Sequence, residues 1–176
     1  MDQDFRRRTK AGERIKAAFL DALMEKGLRD LNVKDLCHAA GVNRSTFYDN
    51  FASMQDLLRE VQLDYFKDIF AILPPDAMPW APRTDEERLD TLRIAIKYHV
   101  AHRDVLFALL DNNSAGEFET NISIFLKKEI LPPDYTKLEE FEFIYHFMGT
   151  LITTVTWLRE GQPFDEETFA HFLARI

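Results

Sequence analysis

A chain of 176 residues that is 46% hydrophobic, with 15 phenylalanines, is long enough to bury a real core. Its single cysteine, Cys37, excludes an intrachain disulfide and any metal cluster built on cysteines, and its longest unbroken apolar run, Val105 to Leu110, is far too short to span a bilayer. The net charge of -8 hides a division: residues 1–53 carry 10 Lys/Arg and 8 Asp/Glu, net +2, which leaves 12 and 22, net -10, for residues 54–176. The basic cluster Arg6, Arg7, Arg8, Lys10 and Arg14 suits either attraction to phosphate or a solubilising tail. With no apolar segment in MDQDFRRRTK, a soluble cytoplasmic protein is expected.

Ile15, Ala18, Phe19, Ala22 and Leu23 recur every three or four residues, which predicts an amphipathic helix from Lys10 to Lys26 that ends at Gly27. Asn32 to Phe51, NVKDLCHAAGVNRSTFYDNF, then reads as two short helices broken at a Gly-Val turn. Asn32 is placed to cap the first helix on the N–H of Asp35, and Leu36, Ala39 and Ala40 give that helix an apolar face. Gly41 is the residue best able to take the positive φ that ends it, and Asn43 is a second N-cap. Phe47 and Phe51 fall on one side of the following helix, leaving Arg44, Ser45, Thr46, Tyr48, Asp49 and Asn50 outward. An Arg, a Tyr and short polar side chains on one exposed face suit base edges and phosphates.

On these residues the segment from about Thr9 to Leu58 resembles the TetR family of transcriptional repressors. The resemblance is carried by Gly27, Asn32-Val33, Ala40-Gly41-Val42, Arg44-Ser45-Thr46-Phe47-Tyr48, Phe51, Ser53 and Leu57-Leu58. Two positions depart from the family pattern: Met54 stands where Lys is common, and Asn50 where an aromatic residue or His is common. The resemblance implies a dimeric, ligand-responsive repressor of a double-stranded DNA operator, with a helix-turn-helix head at residues 1–53 and an effector-binding and dimerisation body at residues 54–176. DNA contact is expected from Asn32, Asn43, Arg44, Ser45, Thr46, Tyr48 and Asn50.

Ser53 with Asp56 resembles a capping box, and Leu57, Val61, Tyr65 and Ile69 mark a helix from Met54 to Leu73. Pro74 to Arg83, which contains four of the seven prolines, is expected to be irregular. Thr84 with Glu87 opens a further helix striped by Leu89, Leu92, Ile96 and His99, and Asp104 begins a short one reaching Leu110. Asp111 to Ser114 is predicted as loop. Phe118, Ile122, Phe125, Leu126 and Ile130 mark the next helix, which Pro132-Pro133 ends. Lys137 to Arg159 is apolar on two sides, so it needs a core and a second partner, for which a second copy of the chain is the expectation. Asp165 caps a last helix with Phe169, Phe172, Leu173 and Ile176 as its stripe. No segment alternates as a strand does, and the expected class is all-α.

In the body, Phe70, Tyr98, His99, Phe107, Phe125, Tyr145 and Met148 are candidates for an effector cavity, each also suited to plain core. A net charge of -10 there suits a cationic amphiphile as well as a neutral one. Thr153, Trp157, Phe169, Phe172 and Leu173 are the candidates for the dimer interface. His99 and His102 lie three apart without a third ligand, so no metal or other cofactor is expected. The acid pairs Glu139-Glu140 and Glu166-Glu167 read as solvated faces, and no G-x-S-x-G, P-loop or H-E-x-x-H motif is present. A protein-interaction adaptor and a small helical enzyme are the rival readings.

Overall fold

The computed structural model describes residues 3–75, 77, 83–112 and 117–175, with side chains from Lys10 onward. Its helices are α1 (Gln3–Lys26), α2 (Val33–Ala39), α3 (Arg44–Asn50), α4 (Met54–Ile72), α5 (Asp85–Ala101), α6 (Arg103–Asp111), α7 (Glu117–Phe125), α8 (Lys137–Arg159) and α9 (Glu166–Leu173). No strand occurs among the described residues, in line with the all-α expectation. The tripled arginine at residues 6–8, much of the proline-rich connection and Ile176 lie outside the described residues or side chains.

The predicted starts rest on local chemistry, and the caps form as read. Asn32, Asn43, Thr84 and Asp165 each accept from a backbone N–H three residues on. Thr136 adds a capping box with Glu139 that sequence reading left unnamed. At Ser53 the box is displaced: Ser53 Oγ accepts from Asp56 N, but the Asp56 carboxylate returns to the N–H of Ala52. α1 starts at Gln3, seven residues before the expected Lys10, and a later helix changes type. The run through Ile130 leaves α-geometry after Phe125 and becomes a π turn at Leu126–Ile130, in which Leu131 N–H reaches Leu126 C=O at 2.9 Å. The extra residue puts two buried leucines, Leu126 and Leu131, at the two ends of one wide turn.

The chain forms two compact units: Met1–Tyr65 with Asp104–Phe118, and Phe66–Arg103 with Glu119–Ile176. The first unit keeps the opening turns of α4 and most of α6. In that unit α1 packs on α2 and α3, and Ile15, Phe19, Leu23, Leu36, Phe47 and Leu57 are almost wholly covered. Lys16 Nζ donates to Asp64 Oδ2 at 2.6 Å, tying α1 to α4, and the buried Gln62 donates to the Leu109 carbonyl of α6 at 2.8 Å.

In the second unit α5 packs against α9 and α8. Trp157 stacks on Phe169 with ring centroids 4.5 Å apart, and its indole N–H donates to the Phe164 carbonyl. Arg93 of α5 clamps Glu167 of α9 through two hydrogen bonds. Lys127 and Lys137 both donate to the covered carboxylate of Glu140, and these bonds hold its pKa below the ordinary glutamate value.

Candidate nucleic-acid interface

The turn between α2 and α3 is built from two backbone devices and one side-chain cap. Gly41 takes φ 62°, a left-handed conformation that side chains beyond Gly rarely adopt, and so ends α2. Val42 N–H returns to the Cys37 carbonyl at 2.9 Å, and the Asn43 side chain starts α3 one residue later. Cys37 is buried with its thiol 3.7 Å from the Asn43 carbonyl, and burial raises its pKa. Its place is structural: it fills the inner side of the turn.

Phe47 is wholly covered, makes an edge contact with the Tyr48 ring at 5.2 Å and a tilted contact with Phe51 at 5.9 Å. That anchoring leaves Arg44, Ser45, Tyr48 and Asp49 exposed and Thr46 half-buried. Asn43 Oδ1 gathers three donors, Thr46 N at 2.8 Å, Ser45 Oγ at 2.7 Å and Thr46 Oγ1 at 2.9 Å. Asn32 is likewise occupied, accepting from Asp35 N and donating to Asp35 Oδ2. These two asparagines act as caps that fix the helices, and both are exposed.

Asn50 departs from the expected outward placement. Its Nδ2 donates to the Thr46 carbonyl at 2.7 Å, and its Oδ1 lies 3.2 Å from where a Cβ at Gly12 would stand. The side chain thus fills the close approach of α1 to α3, a contact that a helix-face count cannot see. Arg14, counted in sequence only as part of a basic cluster, is exposed and reaches within 3.7 Å of the Cβ position at Gly41. It puts a guanidinium over the turn.

The candidate effector residues stand in different surroundings. Phe70 stacks on Phe147 at 5.8 Å and also meets Phe125 and Phe143, forming a packed aromatic cluster. Tyr98 meets His99 edge-on, and His99 is buried, with its pKa lowered to about 4 by burial and by His102. Tyr145 is exposed, Met148 is half-buried, and Phe107 belongs to the other unit. Of the candidate dimer residues, Trp157, Phe169 and Leu173 are covered by their own protomer, Thr153 is half-covered, and Phe172 is exposed.

Residues 15–61 match the profile of the bacterial regulatory proteins of the tetR family. No curated protein sequence matches the chain. Among solved structures, the fold is similar to a TetR-like transcriptional regulator from Rhodococcus sp. RHA1, with TM-score 0.58, 12% identity, and 93% and 91% of the two chains covered. It is similar also to the fatty acid degradation regulator FadR from Bacillus halodurans, with TM-score 0.62, 16% identity, and 94% and 93% covered. A third similar structure is NalD, the secondary repressor of the MexAB-OprM multidrug efflux pump in Pseudomonas aeruginosa, with TM-score 0.58, 20% identity, and 95% and 93% covered.

Proposed function

We propose that this chain, a TetR-like DNA-binding transcriptional regulator, is a cytoplasmic homodimeric repressor that leaves a palindromic operator when a small molecule binds its second unit. The observation that carries the reading is the double-capped helix pair, whose second helix turns Arg44, Ser45 and Tyr48 to solvent over a buried Phe47. In this reading α3 enters the major groove, Arg44 reads a guanine edge through its fork, and Tyr48 grips phosphate. Arg14 adds a phosphate contact beside the turn, which offsets the absence of Lys at Met54. Selection of duplexes from random DNA, followed by binding at several salt concentrations, tests it: recovery of an inverted repeat is expected, and recovery of no preferred sequence would sink the reading.

Dimerisation is supported by the outer face of α8. Leu138, Phe141, Tyr145 and Ile152 are between 59% and 70% exposed, and they step along one side of the helix by three, four and seven residues. Between Tyr145 and Ile152 sits Gly149, where an added Cβ would meet nothing within 4 Å. An apolar helical stripe with a gap at its middle suits a two-fold crossing against its own copy. Regulation by release requires a ligand with different affinity for the DNA-bound and free forms. Calorimetric titration of a compound with and without operator separates a ligand that switches from one that merely binds.

A further inference from the structure

The second unit is acidic in total, yet it carries a cleft of the opposite sign. A space of about 290 Å³ is lined on α5, α8 and the end of the chain by Arg83, Arg88, His146 and Arg175, with Leu92 and Leu173 as apolar floor. No carboxylate lines it among the described residues. Thr91 and Thr150 add hydroxyls. Arg83 is already oriented, because its Nη2 donates to the Glu87 carbonyl at 2.7 Å and to Thr91 Oγ1 at 2.6 Å. Arg88 and Arg175 are exposed and form no ion pair among the described residues. The neighbouring groove that shares Arg175 does contain Asp85 and Glu86, but Glu86 is held by Arg93 at 2.8 Å.

We propose that this cleft binds an anionic small molecule, a carboxylate or phosphate monoester on a compact apolar body. Guanidinium groups meet the two oxygens of such an anion in a planar fork, so Arg is the side chain best matched to it. The volume lies at the small end of ligand pockets, which limits the apolar part to about one ring or a short chain. Leu92 and Leu173 supply the surface that such a body covers, and the Thr150 hydroxyl lies in the same cleft, whereas the Thr91 hydroxyl is taken up in accepting from Arg83 and donating to the Glu87 carbonyl. The net charge of residues 54–176 suits a cationic ligand as well as a neutral one; the local arrangement of arginines points to an anion. The site stands on its own lining, and rests on the repressor reading only for its consequence, release of operator.

The test uses the full chain without DNA, titrated calorimetrically with benzoate, phenyl phosphate and benzyl alcohol. At least one anion is expected to bind, benzyl alcohol is expected not to, and the tighter anion identifies the preferred head group. The double variant Arg88→Gln, Arg175→Gln should lose affinity for the anion by about tenfold or more, the scale of losing a hydrogen bond to a charged group. Removing the same charge elsewhere, with Lys26→Gln and Arg29→Gln, should leave anion affinity unchanged. Absence of anion binding, equal affinity in the first double variant, or equal loss in the second would each overturn the site. A separate titration of operator in the presence of the bound anion then reads its regulatory role, so failure of one experiment is not failure of the other.

Discussion

Asn112 and Leu28, 84 positions apart, are joined by one polar contact: Asn112 Oδ1 accepts from the Leu28 backbone N–H at 2.7 Å. The other end of the same amide donates to the Ala108 carbonyl at 2.7 Å, so the side chain is fixed at the end of α6. Gly27 beside it has φ 74° and a Cβ position 3.4 Å from Asn112 Oδ1, which leaves little room for a larger residue there. The first unit is thereby closed by a residue far outside its helix-turn-helix. Asn112→Ala is expected to lower stability by about 1 kcal/mol, the scale of one hydrogen bond whose half-buried donor loses its acceptor. Urea denaturation measures it, and an unchanged midpoint would show that water takes over the contact.

Operator binding should divide the residues of α3 by role. Arg44→Ala is expected to weaken the preferred sequence by about 1–3 kcal/mol and relax preference at one base pair. Tyr48→Phe should weaken all sequences alike. Asn50→Ala should lower stability, because its amide serves the α1 contact at Gly12, and should leave sequence preference intact. Binding assays on matched and single-substituted operators, run beside thermal melts, separate the three outcomes.

Two substitutions in the last two helices should fail in different ways. Ile152→Arg puts a charge on the exposed stripe of α8 and is expected to give a folded monomer with poor operator affinity. Phe169→Glu buries a carboxylate against the face of Trp157, so it is expected to unfold the second unit instead. Sedimentation together with circular dichroism distinguishes them. A folded, dimeric Ile152→Arg protein would remove α8 from the interface.

His99 makes stability depend on pH in one direction. Its folded pKa of about 4 lies below the usual value near 6.5, so the unfolded chain binds the proton more readily. Stability is therefore at its full level above about pH 6.5 and falls as pH drops towards 4, by up to about 3 kcal/mol. His99→Phe should flatten this part of the profile, provided that the larger ring is accommodated beside Tyr98. Denaturant midpoints between pH 4 and 8 check the slope, and identical slopes in the two proteins would assign the acid sensitivity elsewhere.

What could be read in the sequence was what short segments decide for themselves. Asn32, Asn43, Thr84 and Asp165 each bond a neighbour three residues on, so identity and spacing suffice to find their caps. Gly41 is likewise legible, since its left-handed φ is demanded by the turn itself. Asn50 was misplaced because its partner across the helix interface, Gly12, stands 38 positions upstream and has no side chain to signal the contact. Phe169 and Leu173 fit an interface stripe by period, but their cover comes from α8 and α5 of the same protomer. The arginines of the cleft were unreadable for the same reason: Arg83, Arg88 and Arg175 belong to separate stretches whose common lining is made by packing alone.

An amide oxygen has two lone pairs, yet three donors converge on Oδ1 of Asn43. One of the three is therefore surplus to what the acceptor can serve well. The backbone N–H of Thr46 cannot turn away, and Thr46 itself is half-covered, whereas Ser45 is exposed and its hydroxyl rotates freely about one bond. Exchanging the Ser45 contact for a nearby anionic oxygen leaves the cap intact, because Thr46 continues to hold it. The opening turn of α3 thus keeps one hydrogen-bond donor in reserve: rigid where the helix must be aimed, and able to turn to a new acceptor at the Ser45 hydroxyl, which reaches solvent.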